Sequence, residues 1–172
     1  SYLITTTNNF DLILSFCKKN KLDGIVPVPV DRPLKLMSRI AEELSLPFLS
    51  QNVVDNFRHK YNMKKSLQVE NIRCAKGVLI NPNKFSKESI KELIFPLIVK
   101  PIDGYASRGV VKVENFIELR KYLKEASYFS SDNNVVIEEF ISGREFNAEG
   151  VCYNKNVEIY AIVEKIRGSF PR

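Results

Sequence analysis

Between Lys100 and Gly109 the sequence KPIDGYASRG gathers a lysine, a serine, an arginine and two glycines. Backbone N–H groups laid open by glycine, a hydroxyl and cations can converge on one point, which is the chemistry a polyphosphate needs. The order is not that of a P-loop. G-x-x-x-x-G-K-[ST] is absent, and Lys100 comes before the glycines, so the clamp is strand-loop-strand and not strand-loop-helix. A hairpin turn would use the same Gly and Ser, and the residues downstream bear on that choice. Asn134 to Ile141, NVVIEEFI, runs from apolar residues into Glu138 and Glu139, and Ser142, Gly143, Arg144 and Glu145 follow directly. Core strands seldom end this way, because carboxylates are rarely buried without partners.

The elements that would hold these residues can be read from periodicity. Pro96 to Val99 and Val110 to Val113 are predicted as short apolar strands on either side of the clamp. Asn115 to Ser127 places Phe116, Leu119, Tyr122 and Leu123 at helical spacing, and Tyr128 to Asn134 is a polar loop. Ile72 to Ile80 is a strand candidate ending in the turn Asn81-Pro82-Asn83, and Ser86 to Leu93 is a short helix capped by Ser86. Phe146 to Tyr153 and Val157 to Val163 are strands, with turns at Ser142-Gly143 and Asn154-Lys155-Asn156. Upstream, Asn8 to Asn20 is a helix with a basic last turn, Ile25 to Val28 a short strand, and the segment from Asp31 a helix carrying Leu34, Met37, Ile40, Ala41 and Leu44. That helix, strand, helix order predicts part of a parallel sheet. Val53 to Val69 is predicted as one helix, with His59 as a surface residue.

VKP-x(6)-RGV followed by EEFISGRE resembles the ATP-grasp superfamily, in the branch of carbamoyl-phosphate synthetase and amino-acid ligase domains, over roughly Asp23 to the C-terminus. The resemblance implies an α/β (α+β) fold, a partial ATP-grasp fold. Residues 1–52 would be the C-terminal part of a Rossmann-like preATP-grasp domain, and 53–172 the ATP-grasp domain with a lid at about 93–134 and its C-terminal part missing. The lid is expected to be poor in apolar residues of its own, with a loop that only phosphate would hold.

The same resemblance assigns roles. HKYNMKKSL matches a D-K-x-x-x-(K/R)-x-x-L segment whose first lysine reaches ATP, here Lys60, with His59 where an aspartate is common and Lys64 and Lys65 as competing cations. Lys100 would meet the α- and β-phosphates, with Ser107, Arg108 and Gly109 of the loop beside it. Glu138 would meet the adenine N6 amino group, and Glu139, Phe140 and Ile141 would form a backbone hinge at the base. Ile98 and Val110 either cover the ring or pack in the core. Glu145 takes either the ribose hydroxyls or an ion pair with Arg144 or a lysine. The function implied is the ATP-binding portion of an ATP-dependent ligase that activates a carboxylate as an acyl phosphate for attack by an amine or other nucleophile. A non-catalytic ATP-binding or regulatory domain is the alternative. Magnesium would be held by carboxylates and an asparagine beyond Arg172, so these residues alone are expected to lack the reaction. Glu149, Glu158 and Glu164 are read as surface acids.

Composition sets the outer bounds. With 172 residues, 44% of them hydrophobic, the chain supports one sizeable core or one core plus part of another. The net charge of +6 comes from 26 basic and 20 acidic residues mixed along the chain. No nucleic-acid-binding motif accompanies it, so the expected partners are ATP and a carboxylate substrate, without nucleic acid or membrane. No apolar run approaches the roughly 20 residues of a membrane span. Cys17, Cys74 and Cys152 are widely spaced and form no C-x-x-C pattern, which fits a reducing, cytoplasmic setting without disulfides or zinc.

Overall fold

Apolar periodicity becomes packed helices in the first part of the chain and an antiparallel sheet in the second. The computed structural model describes residues 2–27, 32–104, 107–154 and 156–166. Two compact units divide it: Ser1–Cys74 with Ile102–Arg108, and Ala75–Pro101 with Gly109–Arg172.

The first unit contains α1 (Phe10–Asn20), α2 (Leu34–Glu43), α3 (Gln51–Arg58) and α4 (Lys60–Val69). Cys17, Ile40, Ala41 and Val54 are buried where consecutive helices pack. The predicted strand at Ile25 to Val28 is not observed over its described residues: 25–27 have no strand partner, and Val28 lies outside the described residues. The parallel sheet expected here therefore has no strand among the described residues of this unit.

The single helix predicted over Val53 to Val69 is two helices, broken at His59. This residue has extended backbone, φ −84 and ψ 101, and its Nδ1 accepts from the Asn62 N–H at 3.3 Å, capping α4. The Lys60 N–H, which an unbroken helix would use internally, donates to the Ile102 carbonyl at 2.7 Å. A loop from far along the chain thus supplies the partner that ends one helix and starts the next. His59 is half-exposed at the surface and serves there as a helix cap.

The second unit contains β1 (Gly77–Ile80), β2 (Leu97–Pro101), β3 (Val111–Val113), α5 (Phe116–Ser127), β4 (Val135–Glu139), β5 (Glu145–Tyr153) and β6 (Asn156–Lys165). The first four strands form a sheet in the order β1-β4-β2-β3, and every pairing is antiparallel. Strand β1 is shorter than the predicted Ile72 to Ile80 because pairing with β4 begins only at Gly77↔Glu138, just past a bond from the Glu139 N–H to the Lys76 carbonyl. Ser86 to Leu93 is a 3-10 turn, Lys87–Ile90, closed by Ser86 and Ser89 in a reciprocal capping box. Asn115 caps α5 by accepting from the N–H groups of Ile117 and Glu118, both at 3.0 Å.

Alternation along the strands sorts the side chains into two faces. Val78 and Ile80, Leu97 and Val99, Val111 and Val113, and Val135 and Ile137 face α5, where Leu119, Leu123 and Ala126 complete the core. The other face carries Ile98 and Lys100 of β2, Lys112 of β3 and Val136 and Glu138 of β4. Ile98 and Val136 are buried too, which is why β2 and β4 read as continuous apolar runs. The expectation that 93–134 is poor in apolar residues of its own is overturned. Leu97, Val99, Val113 and Leu119 all lie in that stretch and are fully buried.

Strands β5 and β6 form a separate two-stranded ladder with a register shift at Glu149/Gly150. Every one of its described residues is exposed, Phe146, Ile159, Tyr160 and Ile162 among them.

Candidate functional site

The face of the sheet turned away from α5 carries three candidate residues of the second unit, Ile98, Lys100 and Glu138. Register places Gly77, Glu138, Ile98 and Lys112 in one row across four strands. Lys100 lies two residues beyond Ile98, diagonal to Glu138, and its ammonium pairs with Glu138 Oε1. The two side chains are 19% and 14% exposed, so the pair is screened far less than a surface bridge. A donor and an acceptor are therefore held side by side at the edge of an apolar patch made by Ile98 and Val136.

Gly77 makes this row possible, and sequence reasoning missed it. A Cβ there would lie 2.9 Å from Glu138 Cβ and 2.9 Å from the Ile137 carbonyl oxygen. A glycine inside an apolar strand, KGVLI, was the available signal of close backbone approach. Lys112 was also missed: it ion-pairs with Glu114 at 2.7 Å, and its Nζ lies 4.6 Å from the Phe140 ring centroid.

The hinge residues follow β4 directly. Glu139 accepts from the Ile94 N–H at 3.2 Å, and the Phe140 N–H donates to the Pro96 carbonyl at 3.0 Å. Ile141 is 69% exposed. Val110 is half-buried just before β3. Glu145 stands at the first position of β5 and accepts from Lys165 at 2.8 Å, while Arg144 makes two bonds of 2.7 Å to Glu164. That fork holds the Glu164 carboxyl below its ordinary range.

Gly109 has φ +70, and a Cβ on it would lie 2.7 Å from Phe129 Cδ2. Gly109→Ala therefore combines left-handed backbone strain with overpacking against an aromatic ring. It is expected to lower stability by about 1–3 kcal/mol in urea unfolding. Adding Phe129→Ala should recover the steric share only, and a neutral Gly109→Ala would show that the ring moves aside freely.

The remaining candidates belong to the first unit. Lys60 opens α4, and its Nζ donates to the Gly104 carbonyl at 3.3 Å. Together with the Lys60 N–H bond to the Ile102 carbonyl, this ties the loop to the start of the helix, and Ile102 is only 2% exposed. The loop expected to be held by phosphate alone is thus anchored at its first half by the protein. Ser107, at φ 56, and Arg108 are exposed in its second half.

Comparison with known proteins adds an independent finding. The profile of the family described as D-ala D-ala ligase C-terminus matches residues 68–169. The carbamoyl phosphate synthase large chain of Clostridium acetobutylicum is 26% identical over 161 residues, 91% of this chain and 15% of that protein. D-alanine–D-alanine ligase B of Clostridium perfringens is 34% identical over 102 residues, 59% of this chain and 32% of that protein. Among solved structures, the L-amino acid ligase of Bacillus licheniformis superposes with a TM-score of 0.75 at 25% identity, over 91% of this chain and 36% of the other. An N5-carboxyaminoimidazole ribonucleotide synthetase shares the fold with a TM-score of 0.77 at 13% identity, over 96% of this chain and 43% of the other. The chain thus spans a minor part of the length of these relatives.

Proposed function

Because the chain belongs to the D-ala D-ala ligase C-terminus family of ATP-grasp ligases, we propose that it is the ATP-binding portion of a ligase that activates a carboxylate as an acyl phosphate for an amine or other nucleophile. The observation that carries this is the Lys100–Glu138 pair on the sheet face beside Ile98. Adenine presents an acceptor, N7, next to a donor, the N6 amino group, and an ammonium beside a carboxylate matches that edge. Lys100 also has the charge and reach for the neighbouring phosphates. In this reading Glu139, Phe140 and Ile141 supply hinge backbone, Ile98 and Val110 cover the base, and Glu145 exchanges Lys165 for the ribose hydroxyls. Lys60, Ser107, Arg108 and Gly109 are assigned to the phosphates by their chemistry. The division at residue 52 and a moving part within about 93–134 belong to the same proposal, as do magnesium as the ion accompanying ATP and a cytoplasmic setting. Among the described residues no helix is long and apolar enough to cross a membrane.

Calorimetric titration with ATP and GTP tests the assignment. Guanine presents O6, an acceptor, where adenine has a donor, so Glu138 should favour ATP by roughly tenfold or more. Equal affinities would remove Glu138 from the base. Hydrogen exchange gives a second check: amides of the described loop residues 103–104 and 107–109 should gain protection with ATP. Protection confined to α4 would mean that the loop is an ordinary turn.

A further inference from the structure

The first unit has a cavity of about 350 Å³ whose wall includes Arg32, Lys35, Arg39 and Arg58. Like charges gathered around one space repel, and an anion relieves that repulsion. Among the described residues only Lys35 of the four pairs with a carboxylate, Asp55 at 3.2 Å. The Arg39 guanidinium is placed by an aromatic ring, its Cζ lying 4.2 Å from the Phe10 centroid.

Backbone adds to the same field. Thr7, Asn8 and Phe10 line the cavity where α1 begins, and Lys35 and Leu36 line it where α2 begins. The N-cap residues, Asn9 and Pro33, give neither helix a side-chain bond to its first turn. Two helix starts thus bring N–H groups and positive dipole ends to a cavity that already holds four cations.

A second cavity of about 280 Å³ shares Arg32 and Arg58, is lined by apolar Leu34, Leu49, Val54, Phe57 and Met63, and is closed at one side by Lys60 and Gly104. The ligand for such an arrangement has a compact anionic head and an apolar body. Two helix starts and four cations exceed what one carboxylate uses, whereas a phosphate monoester carries up to two charges on three terminal oxygens. We propose that the first unit binds a phosphomonoester. Its phosphate lies between the starts of α1 and α2, and its organic part crosses Arg32 and Arg58 into the apolar cavity. The phosphate subsite shares no residue with the nucleotide reading above, whereas the apolar cavity adjoins Lys60, which that reading assigns to the phosphates.

The test is calorimetric titration of this chain with phenyl phosphate and with inorganic phosphate at about 50 mM NaCl, where surface electrostatics is only partly screened. Arg58→Gln is expected to weaken phenyl phosphate by about fivefold, and Arg32→Gln with Arg58→Gln by roughly twentyfold or more. Leu49→Asn should weaken phenyl phosphate while leaving inorganic phosphate unchanged. Lys18→Gln with Lys19→Gln, on the exposed last turn of α1, should change neither. Circular dichroism of each variant confirms that it is folded. Absence of heat with the unsubstituted chain overturns the proposal. So does an equal loss in the Lys18/Lys19 variant, which would mark diffuse attraction to net charge. Loss of phenyl phosphate binding in Lys100→Ala would place the ligand at the nucleotide site instead, whereas failure of ATP binding with phenyl phosphate intact would sink only the nucleotide reading.

Discussion

Lys100→Ala is expected to lower ATP affinity by roughly tenfold to a hundredfold and to destabilise the folded chain by about 2 kcal/mol. Both effects come from one ammonium. In the structure it pairs with Glu138 Oε1, and both side chains are less than a fifth exposed. Removing it takes a cationic partner from a partly buried carboxylate and removes the charge assigned to the phosphates and the base. The two effects separate in a double variant. Lys100→Met with Glu138→Gln should regain most of the stability, since neither partner is left charged, yet should not regain ATP binding. Urea unfolding and calorimetry on the three proteins make the comparison. Unchanged ATP affinity in folded Lys100→Ala would remove this residue from the site.

Leu119→Ala should cost about 3 kcal/mol, within the roughly 2–5 kcal/mol measured for truncations of fully buried leucines. Leu119 is 0% exposed and belongs to the cluster that α5 forms with Leu97, Val99 and Val113. Its side chain is the layer between helix and sheet, so the cavity left behind cannot be filled without moving a strand. Ile117, on the same helix but 82% exposed, provides the control, and Ile117→Ala should shift stability by no more than about 0.5 kcal/mol. Equal shifts for the two would mean that α5 does not pack on the sheet as described.

What the sequence disclosed and what it hid follow from the range of the interactions involved. Strands β2 and β4 are legible as apolar runs because Leu97 and Val99 on one face and Ile98 on the other are all buried, leaving no polar alternation. The start of α5 is legible because Asn115 caps it from the adjacent position. His59 is a different case. Its neighbours keep a helical pattern, and beside the local cap on Asn62 the break is held by the Ile102 carbonyl taking the Lys60 N–H, a contact with no local signature. The candidate site divides in the same way. The residue types of Lys100 and Glu138 were readable, but their pairing depends on the β2–β4 register, set between segments far apart in the chain. Gly77 had a local signal as a glycine in an apolar strand, but its role did not, since its missing Cβ matters only because Glu138 lies opposite.

The bond from the Lys60 N–H to the Ile102 carbonyl also constrains the order of events at the ribosome. The helical segments up to Cys74 emerge first, and the Ile102 carbonyl that takes the Lys60 N–H at the junction between α3 and α4 is synthesised later. At typical elongation rates the interval is on the order of seconds, long compared with helix formation on the order of microseconds. During that interval the break between α3 and α4 rests on local contacts such as the His59 cap on the Asn62 N–H. The bond from the Lys60 N–H to the Ile102 carbonyl is therefore the late-made part of this junction, added to helices already synthesised.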